Sequence, residues 1–246
     1  MPVFGNTISE EDILVLIAYV RKLAGDDSHP VIPPPGASKS RPEVAPANKD
    51  TFQKLVQMLS VEDQKKNLVK QGEHLFKKEK SCLACHRVGN VGGRVGPDFS
   101  RAGSLYKPEW LFTWIPNPQK IKQNTIMPSI NLNGDELMAI TAYLSDLRKD
   151  SGKSSELRPY LEKAGDPKHG EELFFDLNGK ATCAKCHQVN GKGGQVGPNL
   201  SFVGSSRTKP FILESIIDPK AVITVGYASV SIMTKEGGIL SGIRKI

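Results

Sequence analysis

Two stretches decide the fold of this chain: SCLACHRVGNVGGRVGPDF at Ser81–Phe99 and TCAKCHQVNGKGGQVGPNL at Thr182–Leu200. They align without a gap at an offset of 101 residues, from Cys82 to Cys183. All four cysteines of the 246-residue chain lie in them, as two Cys-x-x-Cys pairs that are each followed at once by histidine. A match of this length at one fixed offset indicates an internal repeat, so we expect two domains of one type.

Cys-x-x-Cys-His is the attachment pattern of c-type haem. The two thiols add to the vinyl groups of one haem as thioethers, and the histidine that follows points its imidazole at the iron. The pattern therefore predicts two covalently bound haem c groups. Their thioethers would come from Cys82, Cys85, Cys183 and Cys186, and their proximal iron ligands would be His86 and His187.

Two other kinds of site also use Cys-x-x-Cys. A zinc site needs two more ligands for each pair, or both pairs on one ion. A thioredoxin-like redox pair does not require histidine after its second cysteine and is expected near a βαβ pattern. Because both copies carry the histidine in the same flanking sequence, the sequence favours haem over these alternatives.

The repeat extends outward from the cysteines. GEHLF at Gly72–Phe76 returns as GEELF at Gly170–Phe174. The opening segment Met1–Leu23 matches the end of the first copy, Met127–Leu147: each has Met-Pro, a short turn, acidic residues and an apolar helix with Ala-Tyr near its end. We therefore interpret the opening segment as the tail of a third, earlier copy, although an ordinary N-terminal amphipathic helix is the alternative.

The domain organisation predicted from these matches has five parts. They are a truncated domain tail at 1–25, a Pro-rich linker at 26–50, a complete domain at 51–150, a linker at 151–165, and a second haem domain at 166–246 that we expect to be truncated at its C-terminus. The fold class is mainly α, with a β-hairpin added to the second domain. Helices are predicted at Ser9–Leu23, Val61–Lys78, Lys107–Trp114, Asp135–Arg148, Pro167–Leu177 and Lys209–Ile217, and strands at Tyr227–Thr234 and Gly238–Ile243. Ser60 with Asp63 and Asn133 with Glu136 are predicted helix caps.

Residues 60–148 resemble a class I cytochrome c domain, through GEHLF before CLACH, the GPDF run, and Met-Pro before a helix that ends in Ala-Tyr-Leu. The resemblance implies that Met127 is the distal iron ligand opposite His86. A methionine opposite histidine raises the reduction potential of haem. It also implies that the backbone carbonyl of Pro97 accepts the imidazole N–H of His86 and so orients the ring.

Residues 165–246 resemble the haem-binding cytochrome c domain typical of planctomycete and verrucomicrobial proteins, through CAKCH, GGQVGPNL, the apolar helix ending in IIDP, and GYASVSIMTKEGGILSG. The resemblance gives Pro198 the role of Pro97. In that family more sequence follows the hairpin, including a Met-Pro, so the distal ligand does not carry over. We therefore expect the chain to be a fragment cut at both ends.

Two methionines remain as candidate ligands. Met233 follows His187 by 46 residues, but it lies in a predicted strand without a following proline, and packing is the alternative role. Met1 would ligate the haem of an upstream domain, whose attachment site this chain does not contain.

The leading functional hypothesis is a multihaem c-type cytochrome that relays electrons between redox proteins. The alternative is a haem enzyme with an open iron position, or a cytochrome module of a larger dehydrogenase or respiratory complex. The chain has 33 Lys and Arg against 26 Asp and Glu, a net charge of +7, which favours acidic partner surfaces; nucleic acid is not expected. Haem attachment implies the periplasm or export, with membrane association through missing sequence. No apolar run approaches the ~18 residues of a membrane span.

Overall fold

The computed structural model describes residues 9–22, 48–122, 125–148 and 154–243. Helices dominate these residues, as the sequence predicted. Their bounds are α1 (Glu10–Lys22), α2 (Lys49–Ser60), α3 (Glu62–His74), α4 (Ala102–Leu105), α5 (Pro108–Trp114), α6 (Pro118–Ile121), α7 (Gly134–Asp146), α8 (Ser154–Glu162), α9 (Pro167–Phe175), α10 (Val203–Ser206) and α11 (Lys209–Ile217).

The strands of the described residues form three separate antiparallel pairs. They are β1 (Arg87–Val88) with β2 (Val91–Gly92), β3 (Gln188–Val189) with β4 (Lys192–Gly193), and β5 (Ser229–Met233) with β6 (Ile239–Ile243). The third pair is the predicted β-hairpin, and all of its strand residues are exposed.

The chain divides into two compact units, each with one Cys-x-x-Cys-His motif. The Cys82 unit contains residues 35–156 and 205–211. The Cys183 unit contains residues 1–34, 157–204 and 212–246, so both ends of the chain contribute to it.

The core of the Cys82 unit forms where α3 packs on α7. The capping box of α7 pairs Asn133 with Glu136, as predicted, because each side chain bonds the backbone N–H of the other residue. Residues 137–145 of this helix are all buried. An added Cβ at Gly72 on α3 would lie 1.9 Å from the carbonyl oxygen of Ala139, so only glycine allows this approach.

The Cys183 unit is built in the same way, from α9 and α1. Ser9 caps α1, because its hydroxyl accepts the N–H of Asp12 while Asp12 accepts the N–H of Ser9. The apolar face of α1 then enters a core with residues of α8, α9 and α11. The buried members of this core include Ile13, Leu16, Ile17, Tyr19, Val20, Leu157, Phe174, Ile212 and Leu213.

Among the described residues, five helices were not predicted, the short α4, α6 and α10 together with α2 and α8, and one predicted cap is wrong. Helix α8 occupies most of the stretch predicted as a linker at 151–165, and its Leu157 is buried in the core. Helix α2 begins at the end of the predicted Pro-rich linker at 26–50; the described part of that linker is residues 48–50. Ser60 ends α2 instead of capping α3, and its hydroxyl donates to the carbonyl of Gln57.

Candidate haem attachment sites

Each Cys-x-x-Cys-His motif begins with its own short 3₁₀ turn. This turn is Cys82–Ala84 in one unit and Cys183–Lys185 in the other. Each turn follows a residue in the left-handed conformation, Ser81 with φ of 54° or Thr182 with φ of 48°. The histidine N–H bonds the carbonyl of the first cysteine at 2.9 Å in both copies. The turn therefore holds the two thiols and the imidazole in one fixed local arrangement.

The four cysteines are free thiols. Cys85 and Cys186 are exposed, whereas Cys82 and Cys183 are half-buried. Burial raises the pKa of Cys82 and that of Cys183 to about 11. All four sulfurs are thus unbridged, which is the state from which thioethers form.

The two motif histidines are buried, His86 with 8% of its surface exposed and His187 with 6%. Nδ1 of His86 lies 3.0 Å from the carbonyl oxygen of Pro97, and Nδ1 of His187 lies 2.8 Å from that of Pro198. A carbonyl oxygen only accepts, so Nδ1 carries the proton and the lone pair of the neutral ring lies on Nε2. Burial lowers the pKa of both rings, although the bond to the proline carbonyl opposes it. The rings are therefore held in the neutral form that ligates a metal.

A glycine lies against each imidazole ring. A Cβ at Gly96 would lie 2.6 Å from Nδ1 and Cε1 of His86. A Cβ at Gly197 would lie 2.7 Å from Cε1 of His187. In the GPDF and GPNL segments, glycine leaves room for the ring and the proline that follows supplies the carbonyl that orients it.

The segment after each proline is held by side-chain contacts at equivalent positions in the two units, but the interacting groups differ. In the Cys82 unit, Asp98 accepts the N–H of Ser100 at 2.8 Å and forms an ion pair with Arg87 at 2.8 Å. In the Cys183 unit, Asn199 accepts the N–H of Ser201 at 2.9 Å, and its amide donates to Gln188 at 2.9 Å. A charged pair in one unit is thus a neutral amide pair in the other.

The candidate distal ligands lie in different settings. Met127 is half-buried, and its sulfur accepts a hydrogen bond from the indole N–H of Trp114 at 3.1 Å. Met233 lies on β5 with 76% of its surface exposed. Met1 lies outside the described residues.

The residues present fit a covalently bound haem. Each site offers two cysteines outside any disulfide, an adjacent histidine with Nε2 as its ligating atom, a glycine that leaves room for the ring, and a proline carbonyl that orients it. Structural zinc is almost always four-coordinate. Within the described ranges, no group of three or more His, Cys, Asp or Glu side chains is arranged to hold a metal ion.

These features define a protein with two c-type haem attachment sites. The family model described as "Cytochrome C oxidase, cbb3-type, subunit III" matches residues 67–144, and the model described as "Cytochrome c" matches residues 167–237. The chain therefore carries two cytochrome c domains in tandem. The second match is to the general cytochrome c model. The resemblance of residues 165–246 to the planctomycete and verrucomicrobial type of domain therefore stays a prediction.

Among characterised proteins, the chain is similar to cytochrome c oxidase subunit 2 of Alkalihalophilus pseudofirmus. The two are 34% identical over 97 residues, which cover 36% of this chain and 28% of that protein. The similarity thus spans little more than a quarter of the relative's length. Among the described residues, no helix is both long and apolar enough to cross a membrane.

Sequence reasoning missed two sets of residues in these sites. The first set is Gly96 and Gly197, which lie against the imidazole rings. Their equivalent positions in the two copies of the repeat could have indicated a role in the site. The bond from Trp114 to Met127 is the other, and no spacing rule in the sequence predicts it.

Proposed function

We propose that this chain is a dihaem c-type cytochrome that relays electrons between redox partners through haem groups on Cys82/Cys85 and Cys183/Cys186. The observation that carries the proposal is the repetition of the whole site. Turn, thiols, buried imidazole, glycine and orienting carbonyl recur 101 residues apart with distances that agree to within 0.2 Å. Two copies of one site in one chain suit a relay of electrons.

Each haem, when bound, supplies one-electron chemistry at its iron. The protein's own residues hold it and set its properties. The cysteines attach the macrocycle, and the histidine presents Nε2 to the iron while the proline carbonyl holds Nδ1–H. The buried surroundings of both imidazoles exclude water from this side of the site.

Met127 is the proposed second axial ligand in the Cys82 unit. It is followed by Pro128 and then by α7, the arrangement on which the family resemblance rests. Its hydrogen bond to Trp114 uses one lone pair of the thioether sulfur and leaves the other for iron. A haem iron held by both His86 and Met127 would be suited to electron transfer rather than to binding a substrate.

The proposed partners are redox proteins with acidic surfaces, because the chain carries a net charge of +7. The proposed location is the periplasm or another exported compartment, where the chain serves a respiratory chain. The similarity to an oxidase subunit supports that setting. An ionic-strength series of the reaction rate with an acidic and with a basic redox protein tests the charge argument: the rate with the acidic protein should fall as salt rises.

The test of the function is a haem count with a redox titration. The chain is produced in a periplasm that matures c-type cytochromes, and its intact mass and reduced-minus-oxidised spectrum are measured. We expect two covalent haems per chain, and full reduction by two electrons. The double variant Cys82→Ala/Cys85→Ala should retain one haem, and so should Cys183→Ala/Cys186→Ala.

The two double variants serve as matched controls for each other, since each removes one site and leaves the other unaltered. A chain that matures with no covalent haem, or that binds one zinc ion through both pairs, would contradict the proposal. So would a chain whose two haems exchange no electrons with any redox protein.

A further inference from the structure

The phenyl ring of Phe99 lies on the face of the His86 imidazole. The ring centroids are 4.2 Å apart and the two planes differ by 16°, so the rings are stacked. Phe99 is buried in the core of the Cys82 unit. The bond from Nδ1 of His86 to the carbonyl of Pro97 holds one atom of the imidazole but allows the ring to turn about that bond. The stacked phenyl ring restricts this rotation and therefore sets the plane of the imidazole.

Two further aromatic rings hold Phe99 in place. The ring of Tyr106 lies at 84° to that of Phe99, with centroids 6.0 Å apart. The ring of Phe76 lies at 59° to that of Phe99, with centroids 6.1 Å apart. Aromatic pairs prefer edge-to-face arrangements at such separations over a face-to-face sandwich. The phenyl ring on His86 is therefore fixed by its own neighbours as well as by the stack.

The second copy of the repeat has a different residue at this position. Leu200 ends GPNL where Phe99 ends GPDF. The backbone around the two residues is equivalent, because the N–H of Phe99 bonds the carbonyl of Arg87 at 2.7 Å and the N–H of Leu200 bonds the carbonyl of Gln188 at 2.8 Å. A leucine at this place has no aromatic face to offer a histidine. The stack of Phe99 is thus a difference between two sites that share their motif, their glycine and their orienting carbonyl.

A phenyl face also affects the energy of the charged forms of the ring on which it lies. The face of an aromatic ring carries negative charge and attracts positive charge placed above it. An imidazole that ligates iron gives more electron density to oxidised than to reduced iron, so the ring is more positive in the oxidised state. The stack therefore stabilises the oxidised state of a haem that is held by His86.

We propose that Phe99 is a positioning residue, which fixes the plane of the His86 imidazole and lowers the reduction potential of the haem in the Cys82 unit. Leu200 makes no such contribution in the Cys183 unit. The stack therefore makes the two haems unequal, and this inequality contributes to the direction in which electrons move along the relay. The inference rests on the proposed attachment of haem and on its ligation by His86.

The test gives Phe99 the residue of the other copy in the full-length chain with both haems attached. In a potentiometric titration, Phe99→Leu should raise the reduction potential of one haem and leave the other unchanged. It should also change the g values of that oxidised low-spin haem, which report on the plane of the axial imidazole. Phe99→Tyr keeps an aromatic face on His86 and should restore the potential. Phe112→Leu is the matched control, since it removes another buried ring of the same core, one that packs on Phe52, and should leave both potentials unchanged.

An unchanged or lower potential in a low-spin Phe99→Leu variant would overturn the proposal. An equal rise in Phe112→Leu would overturn it too, because the shift would then come from lost packing. If Phe99→Leu is high-spin, Leu200→Phe decides: it should lower the potential of the other haem, and an unchanged value there refutes the inference. All these variants keep both attachment motifs. A count of two covalent haems therefore leaves the proposed function standing when the inference fails, whereas a missing haem in the unaltered chain counts against the proposed function.

Discussion

The indole Nε1 of Trp114 donates a hydrogen bond to the sulfur of Met127 across 3.1 Å. The indole of Trp114 is also stacked on that of Trp110, with ring centroids 5.5 Å apart, so its orientation is fixed from a second side. A hydrogen bond to a ligand atom withdraws electron density from it and tunes the metal that it binds. Trp114 is therefore a positioning residue for the proposed distal ligand.

We predict that Trp114→Phe lowers the reduction potential of the haem in the Cys82 unit. A sulfur that accepts a hydrogen bond donates less electron density to iron, which favours the reduced state. Loss of the bond therefore favours oxidised iron. Only the part of the bond's ~0.5–1.5 kcal/mol that differs between oxidised and reduced iron shifts the potential, so roughly 20–60 mV for one electron is the upper limit. Potentiometric titration measures the shift.

The control for this prediction is Trp110→Phe, which removes an indole from the same stacked pair but not the bond to sulfur. In this variant the reduction potential of the haem in the Cys82 unit should stay close to its value in the unaltered chain. Equal shifts in the two variants would mean that the effect is one of packing, and that the contact between Trp114 and Met127 does not tune the haem.

Gly96→Ala should disturb the ligation of iron by His86 without removing the covalent attachment of haem. The new Cβ would lie 2.6 Å from the ring, closer than real Cβ contacts, so the imidazole must tilt away from the carbonyl of Pro97. We expect high-spin haem in the Cys82 unit, measured by visible absorption, with an unchanged mass. Val95→Ala, at an exposed neighbour, is the control and should remain low-spin.

Gly72→Ala should destabilise the Cys82 unit by about 1–3 kcal/mol, the range for overpacking in a core. The cause is the 1.9 Å approach of the added carbon to the carbonyl of Ala139, which forces α3 away from α7. Both tryptophans lie in this unit, so the denaturant dependence of their fluorescence reports on it.

Gly134→Ala is the matched control, since it also adds one methyl group at a helical glycine. Its Cβ would meet Thr51 at an ordinary 3.4 Å. It should be neutral or stabilising by up to ~1 kcal/mol, because it restricts the unfolded chain. Equal destabilisation by the two variants would contradict the role given to the helix crossing.

Asn133→Ala should cost about 1 kcal/mol in the free energy of unfolding of the same unit. It removes the side-chain oxygen that accepts the N–H of Glu136 at 2.9 Å. Asn133→Ser keeps an acceptor at the cap and should recover most of the loss. If serine were as destabilising as alanine, the capping bond would not be the source of the stability.

The repeat and the six predicted helices could be read from the sequence, because each has a strong local signal, whereas the roles of the motif residues stay predictions. Helix α2 was missed although Phe52, Leu55 and Leu59 recur in it at helical spacing. Helix α8 contains Pro159 and follows a polar stretch, so it was read as a linker. The approach of α1 to α9 joins residues far apart in the chain, and no local sequence pattern predicts such a contact.

The placement of α1 in the Cys183 unit also sets an order of folding. The core of the Cys82 unit runs from Leu55 to Leu144 in one stretch of chain. The core of the Cys183 unit contains both Ile13 and Leu213, so α1 can enter that core only after residue 213 has been synthesised. Domains that are continuous in sequence fold as units during synthesis, and pairings of distant segments form late. We therefore expect the core of the Cys82 unit to form first, and the packing of α1 on α9 to come later.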